Sequence, residues 1–286
     1  NKGRSFLTAL GIIIGIASVI ALIGIGTGAG NSIEDSVSEF SSTVITVQGQ
    51  EIPDEDDIEE GSSFAPSEAR RTFTATPEPT LTIEDLNVVS EVNDITAASP
   101  EIEESTRVTV NEVAERLNIV GVAENYSIIE EKVLSNGRDL SLNDIDASAR
   151  VVVIGSEIAN DFYDNEDQAI GSLIEMGNER LEIIGVYEEA EVIAGPGNFG
   201  SDPNEDLFIP YTTSLELAET EKFGKILAFA QNEDSVRSAT EAVEKALLER
   251  HGFADIEEAN FQTFTSQDFL DTVSAINTLI TSMLAG

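Results

Sequence analysis

The chain of 286 residues carries 54 Asp and Glu against 15 Lys and Arg, a formal net charge of −39. That balance excludes a nucleic-acid binder, which needs clustered Lys and Arg to neutralise phosphates, and disfavours attraction to anionic lipid headgroups. With no Cys and a single His, it also excludes disulfides, thiolate metal sites, cysteine nucleophiles and typical zinc sites.

The charge is unevenly placed. Residues 1–30 hold Lys2 and Arg4 and no acid, so the rest of the chain carries −41 of the total. From Ser5 to Gly30 the sequence is uncharged, and Phe6–Ile25, FLTALGIIIGIASVIALIGI, is an almost unbroken apolar run of 20 residues. At about 1.5 Å per residue such a helix covers ~30 Å, the thickness of a bilayer core. The basic residues before it place the N-terminus in the cytoplasm and everything after about residue 30 outside. A cleaved signal peptide has a shorter apolar core. Gly24, Gly26, Gly28 and Gly30 do not make a phosphate loop, because Asn31 stands where the lysine would be needed. Gly11 and Gly15 form a small-xxx-small pair, the face on which a neighbouring membrane helix would pack.

Outside the membrane, Asn31 or Ser32 caps a helix running to about Phe40, and Thr43–Val47 reads as a strand. Residues 51–80 are acidic and poor in apolar anchors, a solvated stretch. Its spacing breaks the calcium-loop pattern at Ile58, and Asp164–Asp167 and Asp202–Asp206 read as solvated acidic loops as well. Thr82 caps a helix with Asp85 at the capping-box position and an Ile83, Leu86, Val89, Val92 stripe. Strands follow over 95–113 and Leu117–Val122, Asn136-Gly137 marks a tight turn, and Arg150–Ile154 is a buried strand. Ser156 caps a short helix to about Tyr163, and Leu173–Met176 with Leu181–Tyr187 makes a hairpin over Gly177-Asn178. After Leu207–Tyr211 the pattern returns to strand (Lys225–Ala230), helix (Ser235–Arg250, ended by Gly252) and strand (255–262). Strand–helix–strand at both ends with a mostly β middle predicts an α+β unit interrupted by an inserted β unit. Thr265–Asp268 caps a last helix that grows apolar from Leu279, the approach to a second membrane crossing. The chain has no initial Met and reads as a piece of a longer protein.

Several stretches carry a family resemblance. Arg4–Ile20 looks like the first membrane helix of the MacB-type periplasmic core domain group of ABC permeases, in the broad FtsX-like class. Leu117–Tyr126, Asn136-Gly137-Arg138, Val151–Gly155, Ile170-Gly171, Leu181–Val186 and Phe208–Tyr211 are similar to its exterior domain. The resemblance implies a membrane helix at 5–28, a porter-like α+β part at 29–115 and 222–264, an inserted, mostly β, sabre-like part at 116–221, and a stalk leading to a second membrane helix at 265–286. It implies a permease subunit in the cell membrane, its main domain extracytoplasmic, working as a homodimer or with a related permease subunit. A cytoplasmic ABC ATPase would drive motion of the outer domain for export of substrate. No catalytic, cofactor or metal residue is expected; His251, beside Gly252, reads as a cation at a helix C-terminus. The competing expectation is a membrane-anchored extracellular binding or sensor module. A chain this acidic, with 10 Arg to 5 Lys, is also expected to be adapted to high salt.

Overall fold

A computed structural model describes residues 42–50, 77–163, 165–190 and 202–268, with residues 271, 274 and 275. The expected membrane helix with Gly11 and Gly15, the helix expected to end at Phe40, the acidic stretch 51–76 and the apolar C-terminal residues lie outside the described residues. Among the described residues no helix is long and apolar enough to cross a membrane. Residues Ser41–Thr265 form one compact unit, and the α+β class expected from the sequence holds.

The chain runs β1 (Val44–Gly49), β2 (Leu81–Thr82), α1 (Ile83–Ser90), β3 (Ile95–Val110), β4 (Val113–Val122) and α2 (Tyr126–Ile129). It continues through β5 (Leu134–Gly137), α3 (Leu142–Asp146), β6 (Val151–Ile154), α4 (Ser156–Phe162), α5 (Glu166–Ala169), β7 (Leu173–Met176) and β8 (Glu179–Tyr187). Last come β9 (Asp206–Pro210), α6 (Tyr211–Leu217), β10 (Lys222–Phe223), β11 (Lys225–Ala230), α7 (Glu233–His251) and β12 (Phe261–Thr265).

Four strands form an antiparallel sheet in the order β12-β1-β11-β3. The chain order within it is β1–α1–β3, then β11–α7–β12, two interleaved strand–helix–strand units. Both helices cover one face. In α7 the apolar positions Val236, Ala239, Val243 and Leu247 recur every three or four residues and are buried, so they form one stripe. That stripe shares a core with Ile45, Val47, Ile226, Ala228 and Phe261 of the sheet and with Leu86 and Val89 of α1. Asn232 starts α7 by accepting from the Ser235 N–H at 3.0 Å. Gly252 ends it in the left-handed conformation, φ 78°, which glycine adopts without the penalty a side chain incurs.

Strand β3 is 16 residues long and serves two bodies. Residues 95–101 pair with β11; residues 102–110 pair with β4, joined at its far end by β7. From there β4 pairs β9, β9 pairs β6, β6 pairs β8 and β8 pairs β7. The ring β3-β4-β9-β6-β8-β7 therefore closes into a six-stranded barrel, with β5 added along β8. Its interior is filled by alternate residues: Val108 and Val110, Leu117 and Ile119, Val152 and Ile154, Leu181 and Ile183, Leu207 and Ile209. Ile158 and Ala159 of α4 join the same core. Between Val152 and Val153 the register on β8 skips from Ile183 to Gly185, so Ile184 is the extra residue of a bulge in β8: it points outward, and Val186 returns inward. The β3–β4 hairpin turns on Asn111 and Glu112, both with positive φ (44° and 70°), the backbone a two-residue turn needs to match strand twist.

Several local expectations need correction. Asn136-Gly137 ends β5 instead of making a tight turn. Gly137, φ 81°, lies so close to β8 that a Cβ there would sit 2.3 Å from the Ile184 carbonyl oxygen. The cap of α4 is Gly155, one residue before the expected Ser156, because Ser156 Oγ is engaged with Asn204 Oδ1 at 3.2 Å. The strand expected over 255–262 begins at Phe261, after a 3-10 turn at Ile256–Glu258. Helices α2, α3, α5 and α6 have no counterpart among the expected elements; Glu166 and Asp167, expected in a solvated loop, open α5, which Asn165 caps by accepting from the Gln168 N–H. The acidic run at Asp202–Asp206 is not simply solvated: Asn204 and Asp206 are buried. The Asn204 side chain pairs with both the N–H and the C=O of Ala190, each at 2.8 Å.

Candidate functional site

The place where β3 leaves the sheet and enters the barrel concentrates buried charge. Lys225 opens β11 directly opposite Glu101. Its ammonium is bonded to the Glu101 carboxylate and, at 3.1 Å, to Glu103 Oε1. The Lys225 and Glu101 side chains are only 13% and 10% exposed. Tyr126 of α2 donates its hydroxyl to Glu101 Oε2 at 3.3 Å. Burial alone would lower the lysine pKa and raise that of Glu101; mutual attraction outweighs it, holding Lys225 well above and Glu101 below their ordinary values. The pair locks two protonation states and two strands together.

Beside it, Asp206 opens β9. It accepts from Asn118 Nδ2 of β4 at 3.0 Å, but burial pushes its carboxyl up to about 6. Phe208, two residues on, is the centre of an aromatic group: its ring lies 5.6 Å from Tyr126 and 5.3 Å, edge-on, from Tyr187. The Lys132 ammonium sits 4.9 Å from the Phe208 ring centroid and 5.8 Å from that of Tyr187, within cation–π range. These rings belong to a third core with Val120, Val122 and Val153 of the barrel wall and Leu227 of β11. Ala97 and Phe229 of the sheet pack against it. The helix-free face of the sheet is thus bonded to the outside of the barrel by aromatic packing rimmed with ion pairs. Chemically, this arrangement fixes the relative position of two bodies.

A second buried acid ties the two helices. Asp85 of α1, 1% exposed, accepts from Thr82 N and Thr82 Oγ1, both at 2.8 Å, and from Arg250 Nε of α7 at 2.5 Å. His251 Nε2 lies 2.8 Å from the same carboxylate, and its Nδ1 lies 2.8 Å from Asn260 Oδ1. Burial acts to raise the Asp85 pKa, but the hydrogen bonds from His251, Thr82 and Arg250 together hold it below the ordinary carboxylate range.

The expected capping role of Thr82 and Asp85 therefore holds, with a further task the local pattern did not contain. His251 does lie at the end of a helix, but the ring bridges α7 to Asp85 and Asn260. Gly11 and Gly15 lie outside the described residues. The junction residues Glu101, Glu103, Lys225 and Asp206 were not singled out from the sequence. A signal existed in Lys225, one of only 5 lysines, standing flush against the apolar strand ILAFA. Among the described residues, no cluster of three or more His, Cys, Asp or Glu side chains could hold a metal ion.

Residues 5–246 match the family model described as the MacB-like periplasmic core domain. The macrolide export ATP-binding/permease protein MacB of Azoarcus sp. (strain BH72) is 28% identical over 285 residues, covering 99% of this chain and 39% of that protein. The protein of the same description from Wolinella succinogenes is 28% identical over 290 residues, covering 100% of this chain and 41% of the relative. The chain thus spans about two fifths of the length of the curated relatives it matches. Among solved structures, the periplasmic region of MacB from Actinobacillus actinomycetemcomitans aligns with TM-score 0.64 at 20% identity, covering 83% of this chain and 95% of that one. The extracellular domain of the noncanonic ABC-type transporter YknZ from Gram-positive bacteria aligns with TM-score 0.57 at 17% identity, covering 78% and 100%. These two likenesses bear on the fold.

Proposed function

Because the chain belongs to the MacB-like periplasmic core domain family, we propose that it is the extracytoplasmic body of a MacB-type ABC permease subunit. On this reading it couples ATP hydrolysis by a cytoplasmic ATPase to motion outside the membrane for export of substrate, and does no covalent chemistry itself. The four-stranded sheet with α1 and α7 corresponds to the porter-like part and the barrel to the inserted, sabre-like part. The proposed partners are the ABC ATPase, a second permease subunit and the lipid bilayer that Phe6–Ile25 would cross, with the N-terminus in the cytoplasm.

The observation that carries this reading is where the compact unit begins and ends. Strand β1 enters and strand β12 leaves at one end of one ladder, with Ile45 opposite Thr265. Segments arriving before residue 44 and departing after residue 265 are therefore attached at adjacent points, as a pair of membrane helices acting on one body requires. From β1 the ladder continues to β11 and β3, and β3 is itself a wall of the barrel. A displacement at the entry has a continuous hydrogen-bonded route to the far body. The anchored sensor would share the tether but need no ATPase.

Two measurements test the proposal. The full-length protein is expected to copurify with an ATPase subunit in mild detergent; repeated failure would favour the sensor. Since these 286 residues hold no Cys, Ser238→Cys on the exposed side of α7 gives a single labelling site within them, and the unsubstituted protein is the control for labelling elsewhere. A membrane-impermeant maleimide is expected to label it in intact cells. Labelling only after permeabilisation would overturn the orientation.

A further inference from the structure

The outward face of the β3–β4 hairpin departs from the character of the whole chain. Val108, Val110, Leu117 and Ile119 point into the barrel, so their alternate neighbours point out. In register these are Ser105 opposite Asn118, Arg107 opposite Arg116 and Thr109 opposite Ala114. These six outward residues hold two arginines and no acid, in a protein where acids outnumber bases by 54 to 15; the next outward position on β3 is Glu103, whose carboxylate is bonded to Lys225 at 3.1 Å. Directly opposite side chains have Cβ atoms about 5 Å apart, and like charges there are destabilising.

Among the described residues no carboxylate pairs with either guanidinium, although Arg138, Arg150, Arg180 and Arg250 each have one. Arg116 is instead held by Ser105: Nε donates to Oγ and Nη2 to the backbone carbonyl oxygen, both at 3.1 Å. That orients the guanidinium along the ladder while sparing further N–H groups. Arg107 is exposed. The carboxylates on neighbouring strands are occupied, Glu175 by Arg180 at 2.9 Å and Asp206 by Asn118.

We propose that Arg107 and Arg116 form a binding site for the phosphate group of a small soluble ligand. A phosphate monoester carries about −1.5 to −2 charge at neutral pH and three acceptor oxygens. Two arginines directly opposite in register match it in charge, and each guanidinium can offer bidentate donors. The ligand is taken to be a free molecule; the vesicle arm of the test below separates that source of phosphate from a lipid headgroup.

The test is calorimetric titration of the detergent-solubilised full chain with inorganic phosphate and methyl phosphate. Saturable binding with a dissociation constant on the order of millimolar is expected, weakened roughly tenfold by Arg107→Gln or by Arg116→Gln. The double variant is expected to bind nothing, and Arg237→Gln, on the exposed side of α7, is expected to bind like the parent. Unaltered thermal melting of the variants separates loss of the site from loss of fold. Arg107→Lys with Arg116→Lys keeps the charge without the fork, and weaker binding is expected. No saturation in the parent, equal binding by the double Gln variant, or equal binding by the double Lys variant would each overturn the proposal. So would Arg-dependent cosedimentation with phosphatidylglycerol vesicles in the absence of free-phosphate binding.

Discussion

At the scale of single residues the junction makes opposite predictions for two buried charges. Lys225→Met leaves Glu101 buried without its cation, a change expected to cost about 3 kcal/mol in urea unfolding. Adding Glu101→Leu should recover most of that loss, since a buried pair is often replaceable by apolar packing. Asp206 behaves in the other sense. Its carboxyl is raised from 3.8 to about 6 in the folded protein, so the folded state holds its proton more tightly than the unfolded chain does. Its contribution is fully present below about pH 4 and is lost as pH rises through about 6. Asp206→Asn should therefore flatten stability against pH across that window and be more stable at pH 7, by at most about 3 kcal/mol. A variant less stable than the parent at pH 7 would show that Asp206 is better satisfied than its burial suggests. Asp85 has the reverse sign: its lowered pKa gives stability present above about pH 4 and lost as pH falls below the ordinary aspartate range. Asp85→Asn should consequently soften the acid limb of the unfolding profile.

Among whole elements, α7 was the most legible. Its stripe and its terminal glycine act within one helix, so a local reading finds them; its start lies two residues before the expected Ser235, where Asn232 supplies the cap and Glu233 and Asp234 the first turn. Leu247→Ala, a fully buried position on that stripe, should cost about 2–5 kcal/mol in urea denaturation. Gly252→Ala should cost about 1 kcal/mol through the left-handed cap. Strands β1, β4, β6, β8 and β11 were legible for the same reason, each being a short apolar or alternating run. What the sequence did not disclose is non-local. That β3 pairs β11 in its first half and β4 in its second depends on partners 122 or more residues away for the Lys225 bonds. Asn136-Gly137 has turn chemistry, but here the positive φ of Gly137 serves a close approach to β8. The short helices α2, α3 and α6 contain at most seven residues, too few for a periodicity to declare itself. The junction escaped notice because in a chain with 54 acids no single Glu or Asp stands out; only the fold selects which are buried.

The molecule as a whole is governed by its charge. A net −39 repels itself across the surface, and the Debye length falls from about 10 Å at 0.1 M salt to about 3 Å at 1 M. We expect the urea midpoint to rise steadily between those concentrations; an unchanged midpoint would remove the case for salt adaptation. The apolar cores and the buried Lys225–Glu101 pair are shielded from that screening, so unfolding in low salt should begin at the exposed acidic surface.

The pairing of Ile45 with Thr265 brings the two ends of the body side by side. A weight on a single string can spin freely; a panel fixed at two neighbouring points turns only about the line through them. Anything that grips the chain just before residue 44 and just after residue 265 leaves the body one easy rotation, that of a door on its hinges.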